Sequence, residues 1–151
     1  MKQQDCKLPP GGCQDEMSED CLYLNVHAPL EASAEPVPVM VFFHGGRYEQ
    51  GSAGVELYDG RMLANLTNIV VVTVNYRLGA LGFMTLNEFE GNFGVLDQRL
   101  ALQWVQQNIA GFGGDPSAVT IFGQSAGGTS VSFHLVTTGS KPYFHRVCLL
   151  F

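Results

Sequence analysis

The chain alternates short apolar runs with stretches rich in glycine, proline and acidic residues. Leu22-Tyr23-Leu24-Asn25-Val26-His27-Ala28 alternates apolar and polar side chains, the period of a half-exposed strand. Val37 to Phe43 (VPVMVFF) is continuously apolar and bounded by turn-formers, which predicts a strand buried on both faces. Ile69 to Val74 and Val119 to Phe122 read as the second and third buried strands, and Val147 to Phe151 predicts the start of a fourth. Between Leu96 and Ile109 the period changes. Leu96, Leu100, Ala101, Trp104, Val105 and Ile109 recur at three-to-four spacing, the mark of an amphipathic helix, and Gly111 to Pro116 ends it. Residues 58–66 and 125–136 predict two more helices. Residues 1–20 and 29–36 read as loop, and 79–95 as an irregular excursion. Buried strands alternating with helices predict an α/β fold with a mainly parallel sheet.

Composition narrows the picture. With 151 residues, the chain is long enough for one domain with a real core. Charged residues make up only 15% and the net charge is −6, which suits extensive covered surface and argues against a nucleic-acid partner. Asp15, Glu16, Glu19 and Asp20 read as a solvated loop, with attraction of cationic substrates as the alternative. No run approaches the ~18 apolar residues of a membrane span. The opening residues, MKQQDCKLPPGG, lack the apolar core of an export signal.

Cysteine usage points the other way on compartment. Cys6, Cys13 and Cys21 crowd into a polar segment, as a loop staple would, and the histidines (His27, His44, His134, His145) form no short-spaced ligand pair. No metal is therefore expected. A Cys21–Cys6 bridge would stabilise by about 3 kcal/mol through chain entropy, and Cys21–Cys13 is the shorter alternative. Cys148, inside RVCLLF, reads as a buried thiol. Asn65-Leu66-Thr67 is an N-glycosylation sequon. Together, the sequon and the cysteine cluster favour an oxidising, secretory route.

The chemistry concentrates in Thr120-Ile121-Phe122-Gly123-Gln124-Ser125-Ala126-Gly127-Gly128. A buried strand runs into Gly-x-Ser-x-Gly and a helix-forming stretch follows, the order a nucleophile elbow requires. Glycines are needed there because strand and helix backbones approach closely. The helix start directs N–H groups at any developing oxyanion. The competing reading is a serine N-cap on an ordinary strand-to-helix turn. His44-Gly45-Gly46-Arg47-Tyr48 also follows a buried strand directly. Such a loop supplies the other half of an oxyanion hole, with the N–H of Ala126, and the competing reading is a glycine-rich turn.

Longer motifs carry a resemblance. SEDCLYLNV (18–26), HGGRYEQG (44–51), VVVTVNYRLGALGF (70–83), GNFGVLDQRLALQWVQQNIAGFGGDPSAVTIFGQSAGGTSVSFHL (91–135) and FHR (144–146) resemble the type-B carboxylesterase/cholinesterase family of α/β-hydrolases. The likeness runs from about residue 18 onward. It implies that residues 1–151 are part of an α/β-hydrolase core, with the first strands and the C-terminal part outside this chain. It implies Ser125 as nucleophile, the N–H groups of Gly46, Arg47 and Ala126 as oxyanion hole, and a disulfide from Cys21 to an upstream cysteine, Cys6 or Cys13. It further implies a small-molecule ester substrate, no cofactor, and an exported, glycosylated protein.

This chain departs from the family in four ways. Arg47 stands at the third position of the usual HGGG. Gln124 stands before the serine, where glutamate is common. The interval between the candidate cysteines is short. The family's catalytic histidine and acid match none of the four histidines here and are expected beyond Phe151, so this chain alone is expected to be inactive. HGGRYEQG is also close to the loop of neuroligin-like relatives, which keep the fold without the nucleophile. A non-catalytic adhesion or recognition module with a protein partner is therefore the alternative reading.

Overall fold

Valine dominates the strands, and its branched β-carbon suits a pleated surface packed on both sides. The computed structural model describes residues 18–31, 33–85 and 91–150. It places five strands in one sheet: β1 (Leu24–His27), β2 (Val37–Phe43), β3 (Val70–Val74), β4 (Gly114–Gln124) and β5 (Arg146–Leu150). Their order is β1-β3-β2-β4-β5. β1 runs antiparallel to β3, and the remaining pairings are parallel. Helix α1 (Arg61–Thr67) links β2 to β3. Helices α2 (Gly79–Phe83) and α3 (Phe93–Asn108) lead to β4, and α4 (Ala126–Val136) links β4 to β5.

The core lies between one sheet face and helices α3 and α4. Val39, Val41, Phe43, Val70, Val72, Val119 and Ile121 present that face, and Leu102, Val105 and Val131 meet it with no exposed surface. Helix α1 packs against β3 from the other side through Ala64, while the Phe42 ring packs at a tilt against Tyr58 and Phe122 there. Chain order reverses between β2 and β4, since β2 leads on to β3 on one side and β4 to β5 on the other. Ligands in open α/β sheets bind at such a switch point, outside the carboxyl ends of the strands. The HGG loop and the serine leave those two adjacent ends, with Phe43 opposite Gly123 in register.

Several expectations need revising. The 79–95 excursion contains α2, which the glycines at 79 and 82 concealed. Helix α3 begins at Phe93 rather than Leu96, launched by Asn92 in the left-handed region (φ 63°). β4 extends back to Gly114 through a register shift against β2. Within these 151 residues β5 is half-exposed instead of buried. Its alternation turns Val147 and Leu149 to the core and leaves Cys148 on the opposite, uncovered face, so the expected buried thiol is exposed. Cys6 and Cys13 lie outside the described residues, as do Asp15 and Glu16, and no disulfide forms among those described. No described helix is long and apolar enough to cross a membrane. No described group of His, Cys, Asp and Glu has a metal-holding arrangement.

Candidate active site

Ser125 occupies the single residue between β4 and α4, at φ 55° and ψ −120°. That conformation costs a non-glycine residue on the order of 1–3 kcal/mol and persists only where the surroundings over-determine it. Here they do. The Ser125 N–H donates to the Leu150 carbonyl at 3.0 Å, tying the bend to β5, and the Thr129 N–H donates back to the Ser125 carbonyl at 3.0 Å. The flanking glycines allow the helix to start this close to the sheet. A Cβ on Gly123 would lie 2.9 Å from the Gly128 nitrogen. One on Gly127 would run into the Phe43 carbonyl and stand 2.9 Å from that of His44. The serine side chain itself is exposed, and among the described residues its hydroxyl has no hydrogen-bond partner.

The HGG loop lies directly against this bend. A Cβ on Gly45 would come within 3.2 Å of the Ser125 Cβ and 2.7 Å of the Gln124 carbonyl oxygen. Gly46, Arg47 and Tyr48 follow in succession with φ of 115°, 61° and 62°. No backbone acceptor among the described residues takes the N–H of Gly46, Arg47 or Ala126. The Arg47 side chain is 82% exposed, with its Nε 3.7 Å from Glu49. Two surface concavities lie elsewhere, both lined by Pro29 and Leu30 and one of them also by Phe112, toward the amino ends of the parallel strands.

The histidines do not serve the serine. His44 is buried, stacked on Tyr76 with ring centres 4.5 Å apart, and its Nδ1 sits 2.8 Å from the Gly45 carbonyl. Burial lowers its pKa to about 4, so it is neutral at physiological pH. His134 is fully buried and likewise lowered to about 4, by burial and then by Arg99. His145 Nδ1 accepts from the Val119 N–H at 3.3 Å. His27 Nδ1 lies 3.8 Å from Asp59 at the opposite edge of the sheet.

Other residues shape the site without a motif to announce them. Tyr76 donates its phenol to the His44 carbonyl at 2.6 Å, which anchors the loop's first residue. Arg77 grips buried Asp97 with Nε and Nη2, both at 2.7 Å, and donates its own N–H to the same carboxylate. The phenol of Tyr48 meets Ser130 at 3.3 Å. One signal was available: Ser130 and His134, four apart on a helix, put two polar side chains on a face that must be buried. Asn65 is exposed at the end of α1, and its Oδ1 accepts from the Leu30 N–H at 2.9 Å.

Comparison with known proteins identifies the family. The model of the carboxylesterase family matches residues 2–150. The chain is 54% identical over 136 residues to an acetylcholinesterase of Electrophorus electricus, covering 88% of this chain and 22% of that protein. It is 52% identical over 148 residues to the crystal protein of Dictyostelium discoideum, covering 97% and 27%. It is 52% identical over 136 residues to an acetylcholinesterase of Danio rerio, covering 88% and 22%. The chain thus spans about a quarter of the length of these relatives. With this fold and a family match along nearly its whole length, the chain belongs to the carboxylesterase family.

Proposed function

We propose that the whole protein hydrolyses carboxylic esters of small molecules through Ser125. Its oxygen attacks the ester carbonyl. The N–H groups of Gly46, Arg47 and Ala126 receive the negative charge that develops on the carbonyl oxygen. The alcohol leaves, and water then releases the acid from the acyl-enzyme. The general base and its orienting acid come from the part of the protein outside these 151 residues, so this segment alone has at most the residual rate of an oxyanion hole. No step requires a metal or organic cofactor. The observation that carries this reading is the strained, exposed Ser125 pressed against Gly45.

The same reading extends to its setting: export, a glycan on Asn65 and a bridge from Cys21 to Cys6 or Cys13. A non-catalytic recognition role is the second reading, favoured by Arg47 at the third loop position, exposed and paired with Glu49. Hydrolysis of p-nitrophenyl acetate by the whole protein separates the two. Turnover that vanishes in Ser125→Ala, with the melting temperature retained, supports the hydrolase. A wild type no faster than that variant supports the recognition role.

A further inference from the structure

We propose that Tyr48 is a positioning residue for this reaction, its phenol setting the spacing between the loop that bears Gly46 and Arg47 and the helix that bears Ser125 and Ala126. The inference rests on the hydrolase reading above and concerns how the two halves of the oxyanion site are held in register.

The loop needs such a tie. Gly46, Arg47 and Tyr48 all sit at positive φ, and two of them are not glycine. Part of the restraint is local: the Gly46 carbonyl accepts from the N–H groups of Glu49 and Gln50 at 3.0 and 3.1 Å. The Tyr48 carbonyl accepts from the Gly79 N–H at 2.7 Å, and its ring packs on Phe83 with centres 4.7 Å apart. These contacts hold the loop to itself and to α2. The phenol oxygen adds a link to α4, where the Ser130 hydroxyl donates to it at 3.3 Å. Ser130 lies four residues after Ala126, one helical turn along the face that starts at the candidate amide.

Ser130 is itself fixed by a buried polar chain. Its oxygen accepts from Gln98 Nε2 at 3.0 Å. Gln98 Oε1 accepts from His134 Nε2 at 3.1 Å, and the Ser140 hydroxyl donates to His134 Nδ1 at 2.9 Å. Arg99 Nε donates to Ser140 at 3.2 Å. Gln98, Ser130, His134 and Ser140 are all fully buried. Each donor meets one acceptor in a single direction, so the Ser130 proton is left for Tyr48. A buried polar chain satisfied at every link rigidifies the elements it joins, a task apolar packing alone does less specifically. This one joins α3 and α4 and ends on the loop at Tyr48.

The test uses the whole protein. Tyr48→Phe removes the hydroxyl and keeps the ring on Phe83. Expected is a fall in kcat of roughly tenfold for a neutral ester, since small misplacements of reacting groups cost up to ~100-fold. KM and melting temperature should be nearly unchanged, and fluorophosphonate labelling should slow in parallel. Ser130→Ala should lower kcat similarly, and Tyr48→Phe with Ser130→Ala should lower it no further than the larger single loss. Wild-type kcat in Tyr48→Phe, or losses that multiply in the double variant, overturns the proposal while leaving the hydrolase reading standing. A wild type that neither turns over nor labels overturns both.

Discussion

The backbone of Gly45 lies against Ser125 so closely that a methyl group on the glycine would stand 3.2 Å from the serine's Cβ. Two loops leaving adjacent strand ends are thereby packed into one surface, with no room for a side chain between them. The same added methyl would press within 2.7 Å of the Gln124 carbonyl, which is backbone and cannot swing aside. Gly45→Ala is therefore expected to displace the loop and lower kcat/KM by roughly 100-fold, the scale of losing one oxyanion donor. Steady-state kinetics beside a melting curve check this. Unchanged kcat/KM would show that the loop does not serve the serine.

Gly127 makes a larger demand on the fold. Its missing side chain admits the carbonyls of Phe43 and His44 against the first turn of α4. Gly127→Ala has no flexible neighbour to yield, so a stability loss of about 3 kcal/mol or more is expected. Chemical denaturation of the whole protein measures it.

His134 and His44 both hold pKa values lowered to about 4, mainly by burial. An unfolded histidine titrates near 6.5, so between about pH 6.5 and 4 the unfolded chain binds more protons and stability rises with pH. Their neutral forms contribute fully above about pH 6.5, and the contribution is lost as pH falls toward 4. Each is worth on the order of 3 kcal/mol across that window. In His134→Gln the slope of stability against pH should be visibly shallower there. An equal slope would contradict the buried neutral imidazole.

Much of this was legible from the chain, for identifiable reasons. Val37–Phe43 is apolar throughout and Val70–Val74 is apolar but for Thr73, the near-continuous run that a buried parallel strand leaves. Gly123, Ser125 and Gly127 announced the bend because the close approach permits few other residues. β5 misled because Val147, Cys148 and Leu149 are all apolar, while only alternate ones face the core. Tyr48, Gln98, Ser130 and His134 went unread as a group because hydrogen bonds across three elements leave no periodic trace.

Asp97 is buried, and Arg77 holds it with two side-chain bonds while remaining 39% exposed. Asp97→Asn should cost about 1–3 kcal/mol, less than for a fully buried pair because water reaches the guanidinium. Denaturation midpoints of the two proteins check the figure.

Asn65 is exposed, and it is its amide oxygen, not its amide nitrogen, that accepts from the Leu30 N–H. A glycan on that nitrogen leaves the bond in place, so occupancy should not destabilise the fold. Secreted protein should shift in gel mobility after enzymatic deglycosylation, and Asn65→Gln should remove the contribution of this site.

The most direct measurement is the site of covalent attack. Whole protein treated with a fluorophosphonate and digested should yield one phosphonylated peptide, modified at Ser125 and absent from Ser125→Ala. Modification at another serine, or none under conditions that label a known serine esterase, would contradict Ser125 as the nucleophile.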